Sequence, residues 1–181
     1  MTRAAPIVTD RLILRRWEAR DAAPFHAMGR DAQVMRYIGP PLGMAEVKAA
    51  IARQNDLLDT GGSCFRAIER VDDGAFLGFC GIKPGPDGTP IAGQPEIGWR
   101  LRRDAWGRGY AREAAAASLA DAWANDVARV AAITVPANRA SWGLMIRLGM
   151  TRVEDGDFDH PVVPEGNPLR RHLCYTIGRP Q

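Results

Sequence analysis

The chain has 181 residues, 24 Lys and Arg against 21 Asp and Glu, a net charge of +3, and 46% hydrophobic residues. That length and balance fit one globular domain, 1–181, and exclude a disordered chain; the charge is too small to argue for a nucleic-acid partner by itself. No apolar run reaches the roughly 18–20 residues of a membrane span and the N-terminus shows no secretory pattern, so the expected setting is cytoplasmic, away from a membrane.

In chain order, Arg11–Trp17 (RLILRRW) reads as a strand. Asp21 is placed to cap a short helix ending near Met28, with Pro24 in its first turn. Met44–Thr60 repeats apolar residues at helical spacing and ends at Gly61-Gly62. Cys64–Arg70 and Phe76–Lys83 read as strands joined by an Asp72-Asp73-Gly74 turn. Pro84–Pro95 is rich in Gly and Pro and reads as a loop, and Glu96–Leu101 as the next strand. An Ala-rich helix is expected from about Gly109 to Asn125, then a strand at Arg129–Val135 and a helix at Arg139–Leu148. Met150–Phe158 and Leu169–Ile177 are expected to close the fold as a hairpin. This order predicts an α/β (α+β) fold, a mixed sheet flanked by helices.

The cysteines, Cys64, Cys80 and Cys174, are odd in number and widely spaced, with no metal-binding pattern, and Cys64 and Cys80 sit inside strands with no basic neighbour to activate a thiol. They are expected to be reduced and buried, and no metal is expected.

The segment richest in chemistry is Glu96-Ile-Gly-Trp-Arg-Leu-Arg-Arg-Asp-Ala-Trp-Gly-Arg-Gly-Tyr-Ala-Arg-Glu-Ala114. A strand runs into a Gly-containing turn that opens a helix. The first helical turn leaves N–H groups unpaired and carries positive dipole charge, so it suits phosphate. Arg108 and Arg112 stand at that end, where each costs a few tenths to about 1 kcal/mol unless an anion reverses the sign. A nucleotide-triphosphate loop is excluded because no GK[ST] triplet is present, and a dinucleotide fingerprint fails because Arg112 occupies the third glycine position.

The segment Trp106-Gly-Arg-Gly109-Tyr-Ala111 resembles the acetyl-CoA signature of the GCN5-related N-acetyltransferases (GNAT), Gln/Arg-x-x-Gly-x-Gly/Ala, with Trp in the first place. With EIGW before it, YAREA after it and TDRLILRRW near the start, it is similar to the branch of ribosomal-protein alanine N-acetyltransferases, over roughly residues 8 to 178. The resemblance implies a GNAT sheet of about seven strands with about four helices, and acetyl-CoA as cosubstrate. It implies that Trp99, Arg100 and Leu101 meet the pantetheine arm through their backbone. Gly107 through Arg112 would wrap the pyrophosphate, with amides of Arg108, Gly109, Tyr110, Ala111 and Arg112 as donors. It implies Asn138 as a further contact to the cofactor arm and Ser141 as the residue facing the thioester. Many relatives carry a Tyr general acid seven residues after the Asn; this chain has Met145 there.

Transfer requires a base for the amine and a donor for the oxyanion. Glu96, at the head of the strand, is the first candidate base, and His160, with Asp157 and Asp159 nearby in a Pro-rich connection, the second. His172 and Tyr37 are candidates for the acceptor pocket. The expected activity is acetyl transfer to a primary amine, either a protein N-terminus or a small molecule, by direct attack in a ternary complex. The alternative is an acyl-CoA-binding regulatory module without turnover. Either a monomer or a homodimer is compatible with the sequence.

Overall fold

The computed structural model describes residues 5–180. A short hairpin of β1 (Ile7–Val8) and β2 (Leu12–Arg15) leads through a 3-10 turn at Ala19–Asp21 into α1 (Ala22–Met28), α2 (Ala32–Met35) and α3 (Met44–Gly61). Three strands follow, β3 (Phe65–Arg70), β4 (Phe76–Pro84) and β5 (Pro95–Leu101), and then α4 (Tyr110–Ala124). The chain ends with β6 (Arg129–Thr134), α5 (Arg139–Arg147), β7 (Thr151–Arg152), β8 (Phe158–Asp159) and β9 (Arg171–Gly178). The sheet order is β1-β2-β3-β4-β5-β6-β9-β7, with β8 also on β9. Every pairing is antiparallel except that of β5 with β6.

Local chemistry sets most of these boundaries. The β3–β4 turn closes at Gly74, whose φ of +70° suits glycine, and Asp73 accepts the Ala75 N–H while pairing with Arg70. Helix α3 starts where Glu46 accepts the Gly43 N–H. It stops at Gly62, with φ +74°, whose N–H reaches the Leu58 carbonyl.

Helices cover both faces of the sheet. Against one face lies α4, whose Ala114 and Ala115 are fully buried among Leu14, Ile68, Ile97, Leu101 and Val130. Small side chains let this helix approach the strands closely. The other face carries Trp17, Phe25, Val47, Ile51 and Phe79, contributed by α1, α3 and the strands beneath them.

Three sequence expectations change. Asp21 does not cap α1 with its side chain. Its carboxylate, 1% exposed, instead accepts both Arg15 Nη atoms at 2.8 Å and the Glu18 N–H at 2.8 Å. The closing hairpin is broken: a turn with Asp155 at φ +54° interrupts the first strand, leaving β7 and β8 as separate two-residue partners of β9. With β1 added, the sheet has nine short or long strands rather than about seven.

Candidate active site

The central feature is a gap in the sheet. β5 and β6 are in register only at Glu96↔Ala131, near the start of each strand, and separate beyond it. The β5 backbone is fixed on its other side, where the Gln94 carbonyl accepts the Gly85 N–H and the Arg102 N–H donates to the Leu77 carbonyl. An extended strand alternates the direction of its peptide groups. Glu96, Gly98 and Arg100 therefore bond toward β4, while Trp99 and Leu101 direct N–H and C=O into the gap. Of the three backbone contacts expected in this strand, the structure aims two into the gap and turns the Arg100 peptide to β4.

The Leu101 carbonyl is taken by the indole N–H of Trp106 at 2.9 Å. The rest of that indole stands in solvent, 47% exposed. The chain then turns through Gly107 (φ +72°) and Gly109 (φ +82°), the residue just before α4. A Cβ at Gly107 would find no heavy atom within 4 Å, so this turn is open on its outer side. The first intrahelical bond of α4 runs from Glu113 N–H to the Gly109 carbonyl. Thus the amides of Tyr110, Ala111 and Arg112 have no partner inside the helix. Arg108 and Arg112 are exposed, and neither forms an ion pair among the described residues. Positive charge and free N–H groups converge at one end of the gap.

A device the sequence reading missed holds this turn. Glu113 accepts from Thr9 Oγ1 at 2.6 Å and Arg11 Nε at 2.7 Å, and Arg11 Nη1 donates to the Arg108 carbonyl at 3.1 Å. The Arg11 guanidinium also lies 4.7 Å from the Tyr110 ring centroid. Burial pushes the Glu113 carboxyl up, but the bonds from Thr9 and Arg11 outweigh it and the net shift is downward. The only sequence signal was an acid in the first helical turn; its partners lie more than a hundred positions away.

On β6 and α5, Asn138 caps the helix, its Oδ1 accepting the Ser141 N–H at 3.3 Å. The Ser141 hydroxyl has no hydrogen bond to a described residue, whereas Met145 is buried in the core. The Met145 position therefore cannot present a group to the gap.

The two candidate bases lie apart. Glu96 stands at the closed end of the gap, buried and paired with Lys83 Nζ at 2.7 Å. His160 follows β8, and its ring packs against His172 at 5.0 Å between centroids. Phe158 lies beside both rings, 6.0 Å from His160 and 5.6 Å from His172. The acids expected to orient His160 are engaged elsewhere: Asp157 pairs with Arg152, and Asp159 with Arg170 and Arg171. His160 Nδ1 is buried without a partner, while His172 Nδ1 lies 3.0 Å from the Arg170 carbonyl. Burial, and secondarily the neighbouring His172, lowers the His160 pKa. Glu96, Ser141 and His160 share no hydrogen bond with one another. Tyr37 is half-buried after α2, with the Arg36 guanidinium 5.2 Å from its ring centroid.

The cysteines are buried and free. Burial pushes Cys80 up to about 12 and Cys64 up to about 11, so both stay protonated and unsuited to nucleophilic attack. Among the described residues no cluster of three or more His, Cys, Asp or Glu could hold a metal ion, and no helix is long and apolar enough to cross a membrane.

Known proteins are similar to this chain in sequence or in fold. YkkB of Bacillus subtilis, an uncharacterized protein, is 35% identical over 156 residues, 83% of this chain and 87% of its own length. YnaD of the same organism, described as an uncharacterized N-acetyltransferase, is 30% identical over 172 residues, 94% of this chain and 95% of its own. The crystal structure of a GNAT-family acetyltransferase from Bacillus anthracis superposes with a TM-score of 0.79 at 23% identity, covering 97% of this chain and 99% of that one. Proteins with the same fold also include ribosomal-protein acetyltransferases at 14% and 15% identity, a likeness of fold alone. The family model described as an acetyltransferase (GNAT) domain matches residues 11–151, and with the gap, the open turn and these relatives together, the chain belongs to the GNAT acetyltransferase family.

Proposed function

We propose that this chain is a single-domain N-acetyltransferase that moves an acetyl group from acetyl-CoA to a primary amine within a ternary complex. The observation that carries the reading is the parting of β5 from β6 after Glu96↔Ala131, with the open Gly107–Gly109 turn at its mouth. The residues suit acetyl-CoA. The β5 edge at Trp99 and the Leu101 N–H matches an amide-bearing arm, Asn138 follows β6, the strand on the other side of the gap, and the amides of Tyr110, Ala111 and Arg112 with Arg108 beside them match a pyrophosphate. The donor supplies an activated acetyl group. A β5 N–H directed into the gap can stabilise the carbonyl oxygen as it gains charge. The Ser141 hydroxyl is free to donate toward the departing thiolate.

The amine must lose a proton. Glu96 is already bound to Lys83, whereas His160 is held toward its neutral, accepting form. His160 is the better supported base, with Glu96 second. For a histidine whose pKa is lowered in the folded protein, the base is present above that pKa and is lost as pH falls through it, below the ordinary value of about 6.5. The acidic limb of the pH–rate profile is therefore expected to lie below about 6.5. It should vanish in His160→Ala, with a rate loss of about 100-fold. If His160→Ala keeps the limb and Glu96→Gln removes it, the roles exchange.

Arg11 positions the phosphate turn without touching the ligand. Arg11→Ala releases the Arg108 carbonyl and the Glu113 carboxylate, and is expected to weaken acetyl-CoA binding about tenfold, or about 1.4 kcal/mol by titration calorimetry. Unchanged affinity would show that the turn holds its shape alone.

The direct test of the function is the release of CoA thiol when the protein is given acetyl-CoA and a panel of amines, beside a thermal scan with acetyl-CoA. A thermal shift without turnover on any amine would favour a regulatory acyl-CoA-binding module, the reading to which Met145 in place of an acid gives some support. No shift at millimolar acetyl-CoA would remove both readings.

A further inference from the structure

On β5 the side chains of Glu96 and Arg100 point to the face covered by α1, α2 and α3, where a Cβ at Gly98 would meet the Phe65 ring, whereas Ile97 and Leu101 pack under α4. Arg100 extends beneath α2. Its Nη1 lies 3.6 Å from Met35 Sδ, and its guanidinium lies 5.3 Å from the Phe79 ring centroid. Phe65 is stacked on Phe79 at 5.5 Å and continues the apolar wall. Arg100 Nε is buried without a hydrogen-bond partner, and no carboxylate among the described residues pairs with this side chain.

The chain treats its other shielded arginines differently. Arg15 meets Asp21 and Glu69, Arg16 meets Asp59, and Arg66 gives Nη1 to the Ala5 carbonyl. Burial lowers the Arg100 pKa to about 10, with no opposing contribution from an acid, while Arg15 moves upward, foremost through its hydrogen bonds with Asp21. Arg100 is half-buried, and a cation partly removed from water without a counter-charge is costly. The residue carrying it lies between Trp99 and Leu101, whose peptide groups face the gap, so its side chain leaves β5 next to that gap.

We propose that Arg100 is the carboxylate-binding residue of the acceptor site, and that the acceptor is an amine bearing a carboxylate close to its nitrogen and an apolar side chain, a free amino acid rather than a protein N-terminus. The proposal rests on the acetyl-transfer reading of the same cleft. The planar guanidinium suits a carboxylate, and Met35, Phe79 and Phe65 suit the apolar part. In the reaction the nitrogen lone pair forms the C–N bond to the acetyl carbon and the C–S bond breaks with its electrons on sulfur. The proton lost by the nitrogen ends on that sulfur, giving an N-acetyl amino acid and CoA thiol. A residue once placed only as backbone in the cofactor strand thereby becomes a determinant of acceptor choice.

The test compares matched amines that differ only in the carboxylate: phenylalanine with phenethylamine, and methionine with 3-(methylthio)propylamine. A protein N-terminus is represented by a phenylalanyl peptide amide. The wild-type protein is expected to prefer each amino acid by about 100-fold or more in kcat/KM, because the unmatched amine leaves the guanidinium unpaired. Arg100→Met, which keeps the apolar volume, is expected to lose that preference. Binding of N-acetylphenylalanine, followed by calorimetry without acyl donor, should fall in parallel. Melting of Arg100→Met should be unchanged or higher, since exchange of a half-buried, unpaired charge for a hydrophobic side chain does not cost stability. Equal rates within each pair, a preference retained in Arg100→Met, or transfer only to the peptide amide would each overturn the proposal. If acetyl-CoA neither binds nor is consumed, yet N-acetylphenylalanine binding still depends on Arg100, the acetyl-transfer reading fails and the carboxylate site stands.

Discussion

Gly109→Glu is expected to weaken acetyl-CoA binding by more than about 100-fold, or about 2.7 kcal/mol. Gly109 has φ +82°, where an L-residue costs roughly 1–2 kcal/mol. Space is not the main obstacle: a Cβ there would come 3.4 Å from Arg11 Nη2, the far end of a flexible side chain. Charge is. A carboxylate at the start of α4 competes for the same free amides of Tyr110, Ala111 and Arg112 and repels a pyrophosphate. Gly109→Ala separates the two effects, since it carries the backbone strain without the charge and should lose only about tenfold. Titration calorimetry with both variants measures the difference. Equal, small losses would mean that no anion binds at this helix end, and the acetyl-CoA assignment would go with it.

Asp21→Ala is expected to remove about 3–5 kcal/mol of stability, the usual cost of breaking a buried pair from one side. The Asp21 carboxylate accepts both Arg15 Nη atoms and the Glu18 N–H and has almost no exposure. Its loss leaves Arg15 with Glu69 and Glu18 and frees a backbone donor at the turn into α1. For a chain of this size the melting midpoint should drop by roughly 6–20 °C. Asp21→Asn, with the shape kept and the charge lost, should fall between. Urea unfolding checks both, and a loss under about 1 kcal/mol for Asp21→Ala would show that the network holds without its acid.

Asp21 also shows where reading along the chain stops. An Asp before a helix at the right spacing is a capping signal, and capping is a local interaction. Here a guanidinium from β2 claims the carboxylate, because the sheet brings Arg15 beside it. The same thing happens at His160. Asp157 and Asp159 are its neighbours in sequence, yet arginines take both, and the histidine's companion is His172 on the adjoining strand. Glu96 is another case: its partner Lys83 is fixed by the β4–β5 register, not by proximity along the chain.

Features that depend on a few consecutive residues are legible along the chain. The hairpin at Asp72-Asp73-Gly74, the end of α3 at Gly62, the cap at Asn138 and the Gly-Arg-Gly turn that opens α4 all rest on local φ/ψ preference and short-range hydrogen bonds. The order of the longer strands and helices follows from apolar periodicity, though not β1, α2 or the split of β7 from β8, and with the glycine turn it was enough to place the chain in its family. Other features come from contacts between distant segments. The gap between β5 and β6, the Arg11–Glu113 brace under the phosphate turn and the unpaired Arg100 beneath α2 each depend on elements far apart in the chain. A strand's pattern says which residues share a face; what covers that face, and which charge is left without a partner, is settled by long-range packing.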